Sequence, residues 1–314
     1  MRVAVTGAGG RLGRAVVSAL AEAPFTGLAG PTSWRRPDYD LDDLTAPARL
    51  IARDRPEAVV HTAAWTDVDG AALDPATAMR RNRDATAALA RACSVAGVDL
   101  IVISTNEVFD GERLDGRPYA PTDGPNPPNP YGASKLAAED AARDAYHQAA
   151  GSGQLAIVRT AWLFGEGEPD FPTKILTAAE RARSVGEPLR AVSDEFGTPT
   201  YVADVADGIV ELLGSGSFAG IHHLVNGGVA SRAEWARDVL GRAGVDVAVS
   251  DVPASTWPRP SRAPRWGVLE PTRLPSGDPL RSWTDAMADY SPSLLRAWGR
   301  TRDAANAAAR AGSR

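Results

Sequence analysis

Val3 to Thr6 is a short run of β-favouring residues that ends in glycine, and Arg11 to Glu22 then places Leu12, Ala15, Val16, Ala19 and Leu20 at helical spacing. A strand that turns through glycines straight into a helix is the opening of a βα unit, and further units follow. β-type runs recur at Ala58 to His61, Leu100 to Ser104 and Leu155 to Thr160, with a shorter one at Leu28 to Ser33. Alanine-rich helical segments lie at Thr77 to Ala96 and Pro130 to Ala150. Strands that alternate with helices in this way predict a doubly wound parallel sheet of the Rossmann type, with helices on both faces. Residues 1–165 are expected to form this dinucleotide-binding domain. Residues 166–314 are expected to form a smaller, interleaved α/β lobe for the substrate, with 190–225 partly returning to the first domain. Helices are expected there at Thr173 to Arg183, Val202 to Leu213 and Ser231 to Ala243, with an extended piece at Gly220 to Val225. The Pro- and Arg-rich segment Val252 to Pro279 is expected to be an ordered loop or a partly mobile cover, and Ala304 to Arg314 a frayed tail.

Composition narrows the function class. With 314 residues and a net charge of −5, the chain can bury a large core but lacks the basic surface that nucleic acid or an anionic membrane requires. Any anion site must be local. Cys93 is the only cysteine, which excludes an intramolecular disulfide and a cysteine metal cluster and fits a reducing, cytoplasmic setting; the residue itself reads as a buried helix position. No stretch of about 18 apolar residues occurs. His222 and His223 are adjacent in an expected strand, so they point to opposite faces and cannot chelate one ion.

Gly7, Gly10 and Gly13, with Arg11 and Leu12 between them, occupy the turn from first strand to first helix. Glycines there let the backbone approach a pyrophosphate, and the free N–H groups of the helix start favour its charge. After the second expected strand come Arg35 and Arg36, where an NAD-selective site places a carboxylate for the ribose 2′-hydroxyl. Guanidinium groups favour a 2′-phosphate, so NADPH is expected over NADH. Asp40 and Leu41 lie where they would flank the adenine.

Asn129-Pro130-Tyr131-Gly132-Ala133-Ser134-Lys135 carries the chemistry. Asn129 suits an N-cap and Pro130 the first helical position, so Tyr131 and Lys135 share one face of the first turns. The ammonium and the helix start are expected to favour the phenolate, which matters because a phenol's ordinary pKa is about 10. Ser104 and Thr105 end a strand at the carboxyl edge of the sheet, where such folds bind ligands. Thr105 is assigned to the substrate carbonyl, and Ser104 to backbone geometry beside the cofactor.

These motifs resemble the extended short-chain dehydrogenase/reductase superfamily, and within it the dTDP-4-dehydrorhamnose reductase family, over about residues 2 to 270. The segments that carry the likeness are Thr6 to Gly13, His61 to Asp69, Asn82, Ser104 to Gly111, Tyr131 to Lys135, Arg159 to Gly165 and Gly197 to Thr200. The resemblance implies that Ala63, Ala64 and Trp65 line the cofactor, that Thr66 and Val68 lie nearer the substrate, and that Trp162 walls the sugar pocket. It implies hydride transfer to the 4-keto carbon of a nucleotide-linked 6-deoxyhexose, with Tyr131 protonating the oxygen and Lys135 holding the nicotinamide ribose. Two departures bear on the substrate. Asn106-Glu107 stands where the family has Asp-Tyr, and Asp194-Glu195 where Asp-Gln is usual. Ala15 replaces the glutamate of members that bridge a metal, so no metal is expected. Arg262, in Arg262-Ala263-Pro264-Arg265, matches a basic-proline segment near the diphosphate. A monomer or homodimer is expected. Two other readings remain open: a related nucleotide-sugar epimerase or dehydratase, and a non-catalytic NADP-binding subunit like the regulatory beta subunit of methionine adenosyltransferase.

Overall fold

The computed structural model describes residues 1–149 and 153–312. Strand β1 (Val3–Thr6) enters helix α1 (Arg11–Glu22), and β2 (Thr32–Trp34), α2 (Ala46–Asp54) and β3 (Ala58–His61) follow. Short helices α3 (Val68–Leu73) and α4 (Pro75–Ala78), a π-helical turn (Met79–Asp84) and α5 (Ala85–Val95) lead to β4 (Asp99–Thr105). Helix α6 (Pro130–Gln148) leads to β5 (Leu155–Thr160) and β6 (Leu163–Phe164). The remainder is α7 (Phe171–Val185), β7 (Leu189–Val192), β8 (Phe196–Gly197), β9 (Thr200–Tyr201), α8 (Val202–Ser215), β10 (Gly220–His223), β11 (Ala230–Ser231), α9 (Arg232–Ala243), β12 (Val249–Val252) and α10 (Trp283–Gly312).

The central sheet has the order β10-β5-β4-β3-β1-β2 and is parallel throughout. Its inner strands are buried on both faces, which is why they read as continuous apolar runs rather than alternating ones. Leu12, Val16 and Leu20 of α1 pack with Val205, Ile209 and Leu212 of α8 on one face; Leu50, Leu89, Cys93 and Tyr146 fill the other. A fully buried Leu or Ile contributes about 1.5–3 kcal/mol, so each face is a large apolar term. The chain order turns back between β1 and β3, the switch point at which sheets of this kind open a ligand crevice. A second core gathers α7, α9 and α10 around Trp235, and β7 pairs in parallel with β12 beside it. Helix α8 and strand β10 are the parts of the later chain that join the central sheet.

Three sequence expectations change. The second strand is Thr32–Trp34, not Leu28 to Ser33, because Gly27 and Gly30 take positive φ and Leu28 is fully exposed, while Trp34 is buried with its Nε1 donating to Asp54 Oδ2 at 2.7 Å. The helix expected over Thr77 to Ala96 contains the π-helical turn, which points the polar Asn82 inward. Where a frayed tail was expected, α10 runs on to Gly312; Ala150, Ser313 and Arg314, on which those expectations also fell, lie outside the described residues. The segment expected as a covering loop is tied down: Tyr119 N donates to Val268 O and Asn129 Nδ2 to Arg262 O, each at 2.8 Å.

Candidate active site

The carboxyl ends of β1, β3, β4 and β5 open onto a cleft of about 970 Å³. Its first wall is the glycine turn. Gly7 has φ +61°, and a Cβ there would sit 2.8 Å from the backbone of Ala63; a Cβ on Gly13 would sit 2.2 Å from the Gly7 carbonyl oxygen. Only glycine fits either position. Gly10 N donates to Gly7 O at 2.8 Å, and Gly10 caps α1 without a side-chain acceptor, so the first N–H groups of that helix are left to the cleft. The edge of the switch point is pinned by Thr62 Oγ1 donating to Thr6 O at 2.7 Å and by Ala63 N donating to Thr6 Oγ1 at 3.2 Å. Behind them His61 contacts Thr6 Oγ1 at 2.8 Å and Thr86 Oγ1 at 3.1 Å; burial, and then the charge of Lys135, push it down to about 3, so it is neutral.

Helix α6 carries Tyr131 and Lys135 to the cleft. The Asn129 side chain accepts from Gly132 N at 2.8 Å, with Pro130 in the first turn. A Cβ on Gly132 would lie 2.0 Å from the Glu107 carbonyl oxygen, so the glycine lets the helix start press against the turn after β4 and bring Tyr131 to Thr105. Ser134 Oγ donates to Tyr131 O at 2.7 Å and receives Asn82 Nδ2 at 2.9 Å, while Asn82 Oδ1 accepts from Trp65 N at 2.8 Å. The π-helical turn thus joins the cleft wall at Trp65 to helix α6.

The charge balance at the pair is the reverse of the one expected. Burial, and then the charge of Glu107, raise the Tyr131 phenol above its ordinary value, against which the Thr105 hydroxyl hydrogen bond works. The phenol is therefore held protonated. Lys135 is itself pushed down to about 8 by burial, with the carboxylate of Glu139 opposing the shift. Beneath it Arg159 makes a two-pronged pair with Glu139 at 3.0 and 2.7 Å, and Ser104 Oγ donates to the same carboxylate at 2.5 Å. All three are buried. Ser104 therefore turns its hydroxyl into the protein, and Thr105 is the hydroxyl left beside Tyr131.

At the far end the cleft is walled by side chains. Trp162, with φ +43°, stacks on Trp235 at 5.9 Å and carries the Arg232 guanidinium 3.5 Å above its ring. Burial pushes Arg232 down to about 10, with Glu195 opposing. Asn106 Nδ2 donates to Gly267 O at 3.1 Å and so braces the covering segment. Glu107 Oε2 accepts from Asn129 Nδ2 at 2.6 Å; burial raises its carboxyl, Arg259 and Arg232 oppose, and Glu195 adds to the rise. A neighbouring cavity of about 220 Å³ shares Arg232 and is lined by Phe171, Arg190, Glu195, Trp257 and Arg259.

The structure brings together Gly7, Gly10, Arg11, Leu12, Gly13, Arg35, Arg36, Asp40, Leu41, Ala63, Ala64, Trp65, Thr66, Val68, Ser104, Thr105, Asn106, Glu107, Tyr131, Lys135 and Trp162 around one cleft. It does not bring Arg262. That guanidinium pairs with Glu112 on the outside, and only its backbone oxygen reaches inward, to Asn129. Arg232 is the cation that faces the cleft instead, and sequence reasoning missed it, as it missed Gly9, Thr62, Arg81 and Glu168 on the walls. The signal for Arg232 was faint: an arginine directly after the Ser231 of a capping box, at the start of an amphipathic helix.

A glycine cradle at the sheet's switch point, with Thr105, Tyr131 and Lys135 opposite it, defines an NAD(P)-dependent oxidoreductase of the extended short-chain dehydrogenase/reductase type. Residues 1–295 match the family described as RmlD substrate binding domain, and the chain belongs to that family. It is 36% identical over 315 residues to dTDP-4-dehydrorhamnose reductase of Mycobacterium tuberculosis, covering 96% of this chain and 98% of the relative. It is 35% identical to the enzyme of that name from Streptomyces griseus, covering 94% and 95%. Among solved structures, a dTDP-4-dehydrorhamnose reductase from Clostridium acetobutylicum superposes with a TM-score of 0.84 at 28% identity, covering 94% of this chain and 99% of that one. One from Bacillus anthracis, in complex with NADP, gives 0.82 at 27% identity, covering 92% and 98%.

Proposed function

We propose that this protein reduces the 4-keto group of a dTDP-linked 6-deoxyhexose, using NADPH. The observation that carries the reading is the convergence of Thr105, Tyr131 and Lys135 on one cleft with the glycine cradle. A dinucleotide fits the residues present, since Gly7 and Gly13 let the turn close tightly on its own backbone without side chains in the way, and the amides of the α1 start are uncapped. The cradle would hold its pyrophosphate, and Arg35 and Arg36, on the same cleft, favour a 2′-phosphate. When bound, the cofactor supplies the hydride. We read the central-sheet portion as its holder, and the core around Trp235 as the support of the sugar wall.

The chain's own part is proton and charge handling. The Thr105 hydroxyl and the Tyr131 phenol orient the substrate's carbonyl oxygen and stabilise the negative charge that develops there. Tyr131 is protonated at rest and donates its proton to that oxygen, which is the direction a reduction needs. Lys135, charged below about pH 8, stabilises the phenolate that remains and stands ready to hold the nicotinamide ribose. All three side chains are largely buried, which limits the water that reaches the proton path.

The test follows NADPH oxidation with dTDP-4-keto-6-deoxyglucose, alone and with an added 3,5-epimerase. Tyr131→Phe is expected to lower kcat by roughly 10²- to 10⁴-fold with NADPH binding retained. Tight NADPH binding without turnover on either substrate would overturn the reading.

A further inference from the structure

Reduction of a ketone needs one proton, delivered to oxygen, and Tyr131 supplies it. That leaves Glu107 unused. Its backbone N donates to Thr105 Oγ1 at 3.2 Å, and its backbone carbonyl meets the start of the Tyr131 helix at Gly132, so it sits on the turn that holds both carbonyl-binding groups. Its side chain lines the same cleft, and its charge acts directly on the Tyr131 phenol. Asn129 clamps Oε2 at 2.6 Å, and no donor to Oε1 occurs among the described residues. Arg232, Arg259 and Glu195 are the other charged groups that act on it.

We propose that Glu107 is a second proton-transfer group, a base that exchanges the hydrogen on a carbon next to the substrate's keto group. The inference rests on the keto-sugar reading above. A carbonyl oxygen held by Thr105 and Tyr131 makes its neighbouring C–H bonds acidic, and the adjacent carbon lies only about 2.4 Å from that oxygen by ordinary bond lengths. The Glu107 carboxylate takes that hydrogen as a proton. The C–H electron pair becomes the C=C bond of an enol while the C=O π pair takes the proton of Tyr131. The products of this step are a carboxylic acid, a phenolate and a bound enol, and the reverse step restores all three. No electrons leave the system, so no oxidant or reductant is needed. While it is protonated, Glu107 trades its proton with solvent, and the substrate acquires solvent hydrogen. Burial that raises the carboxyl makes it a stronger base than an exposed glutamate, and the same burial keeps Tyr131 in its acid form.

The experiment incubates the protein and oxidised cofactor with dTDP-4-keto-6-deoxyglucose in D₂O, and reads deuterium at the carbons flanking the ketone by NMR. A parallel reaction with NADPH reads reduction. Exchange is expected at least about tenfold above the rate without protein. Glu107→Gln is expected to lower exchange at least about tenfold more than it lowers NADPH oxidation, and Glu107→Asp to restore part of the exchange. NADPH binding by each variant reports that it is folded. Reduction without exchange in the unaltered protein would overturn the inference and leave the reductase reading standing, as would a Gln variant with an unchanged ratio of exchange to reduction. Exchange without reduction would support Glu107 and sink the reductase reading; neither activity would sink both.

Discussion

At the glycine-turn end of the cleft one short stretch, residues 7–13, offers backbone amides, whereas the other end is walled by the side chains of Glu107, Trp162 and Arg232, with Glu195 and Arg259 acting on the two charges. The first construction depends on dihedral angles and on the absence of Cβ atoms, so its shape is set locally. The second depends on which residues five separate segments happen to contribute. One end can therefore keep its ligand while the other is retuned.

The strongest way to break this contrast is Gly13→Ala. The new Cβ would meet the Gly7 carbonyl oxygen at 2.2 Å, so the turn must shift. With strain of about 1–3 kcal/mol, dinucleotide affinity in a fluorescence titration is expected to fall by up to roughly 100-fold. An unchanged affinity would show that the cradle is not set by its backbone. Next is Arg232→Met. Losing a charged donor on the sugar wall is expected to raise KM for the nucleotide sugar by at least roughly tenfold, while NADPH affinity stays the same. If both constants moved, the two ends would not be independent.

A pH profile probes the seam between the ends. Lys135 has a folded-state pKa of about 8, below its ordinary value, so its charged form is present below that pH and lost above it. The kcat/KM profile is expected to decline by about tenfold per pH unit on the alkaline side of about pH 8. Lys135→Arg is expected to move that limb upward, because a guanidinium stays charged. The smallest effect should come from Arg35→Ala. Its side chain is exposed, so the discounted charge contribution is about 1 kcal/mol, and the preference for NADPH over NADH should drop by roughly fivefold.

The same contrast explains what could be read from the amino-acid order. The βα alternation, the glycine turn and the Tyr131 helix each lie within a few consecutive residues, and local rules of spacing, capping and burial locate them. Trp34 shows the limit: the run before it looked extended, but the glycines at 27 and 30 bend it, and only Thr32–Trp34 pairs with β1. Asn82 could be noted as a landmark, yet nothing local announces the π-helical turn that aims it at Trp65 and Ser134. Arg262 and Arg232 show the other limit. Both are arginines in the later chain, and which of them faces the cleft depends on Glu112 capturing one and Trp162 receiving the other. The sign of the Tyr131 shift was misjudged for a similar reason. Lys135 is visible at i+4, but the burial and the Glu107 charge that raise the phenol come from tertiary packing.

The pair between Arg159 and Glu139, behind Ser104, restricts how such a chain can drift. Removing either partner alone strands a charge in the interior, at about 3–5 kcal/mol, while exchanging both for well-packed apolar residues can be nearly neutral. A lineage therefore cannot cross from one state to the other by single steps without passing through a crippled intermediate. The two positions are held fixed less by what they add to the fold than by the valley that separates them from any alternative, and descendants should either retain both or have replaced both.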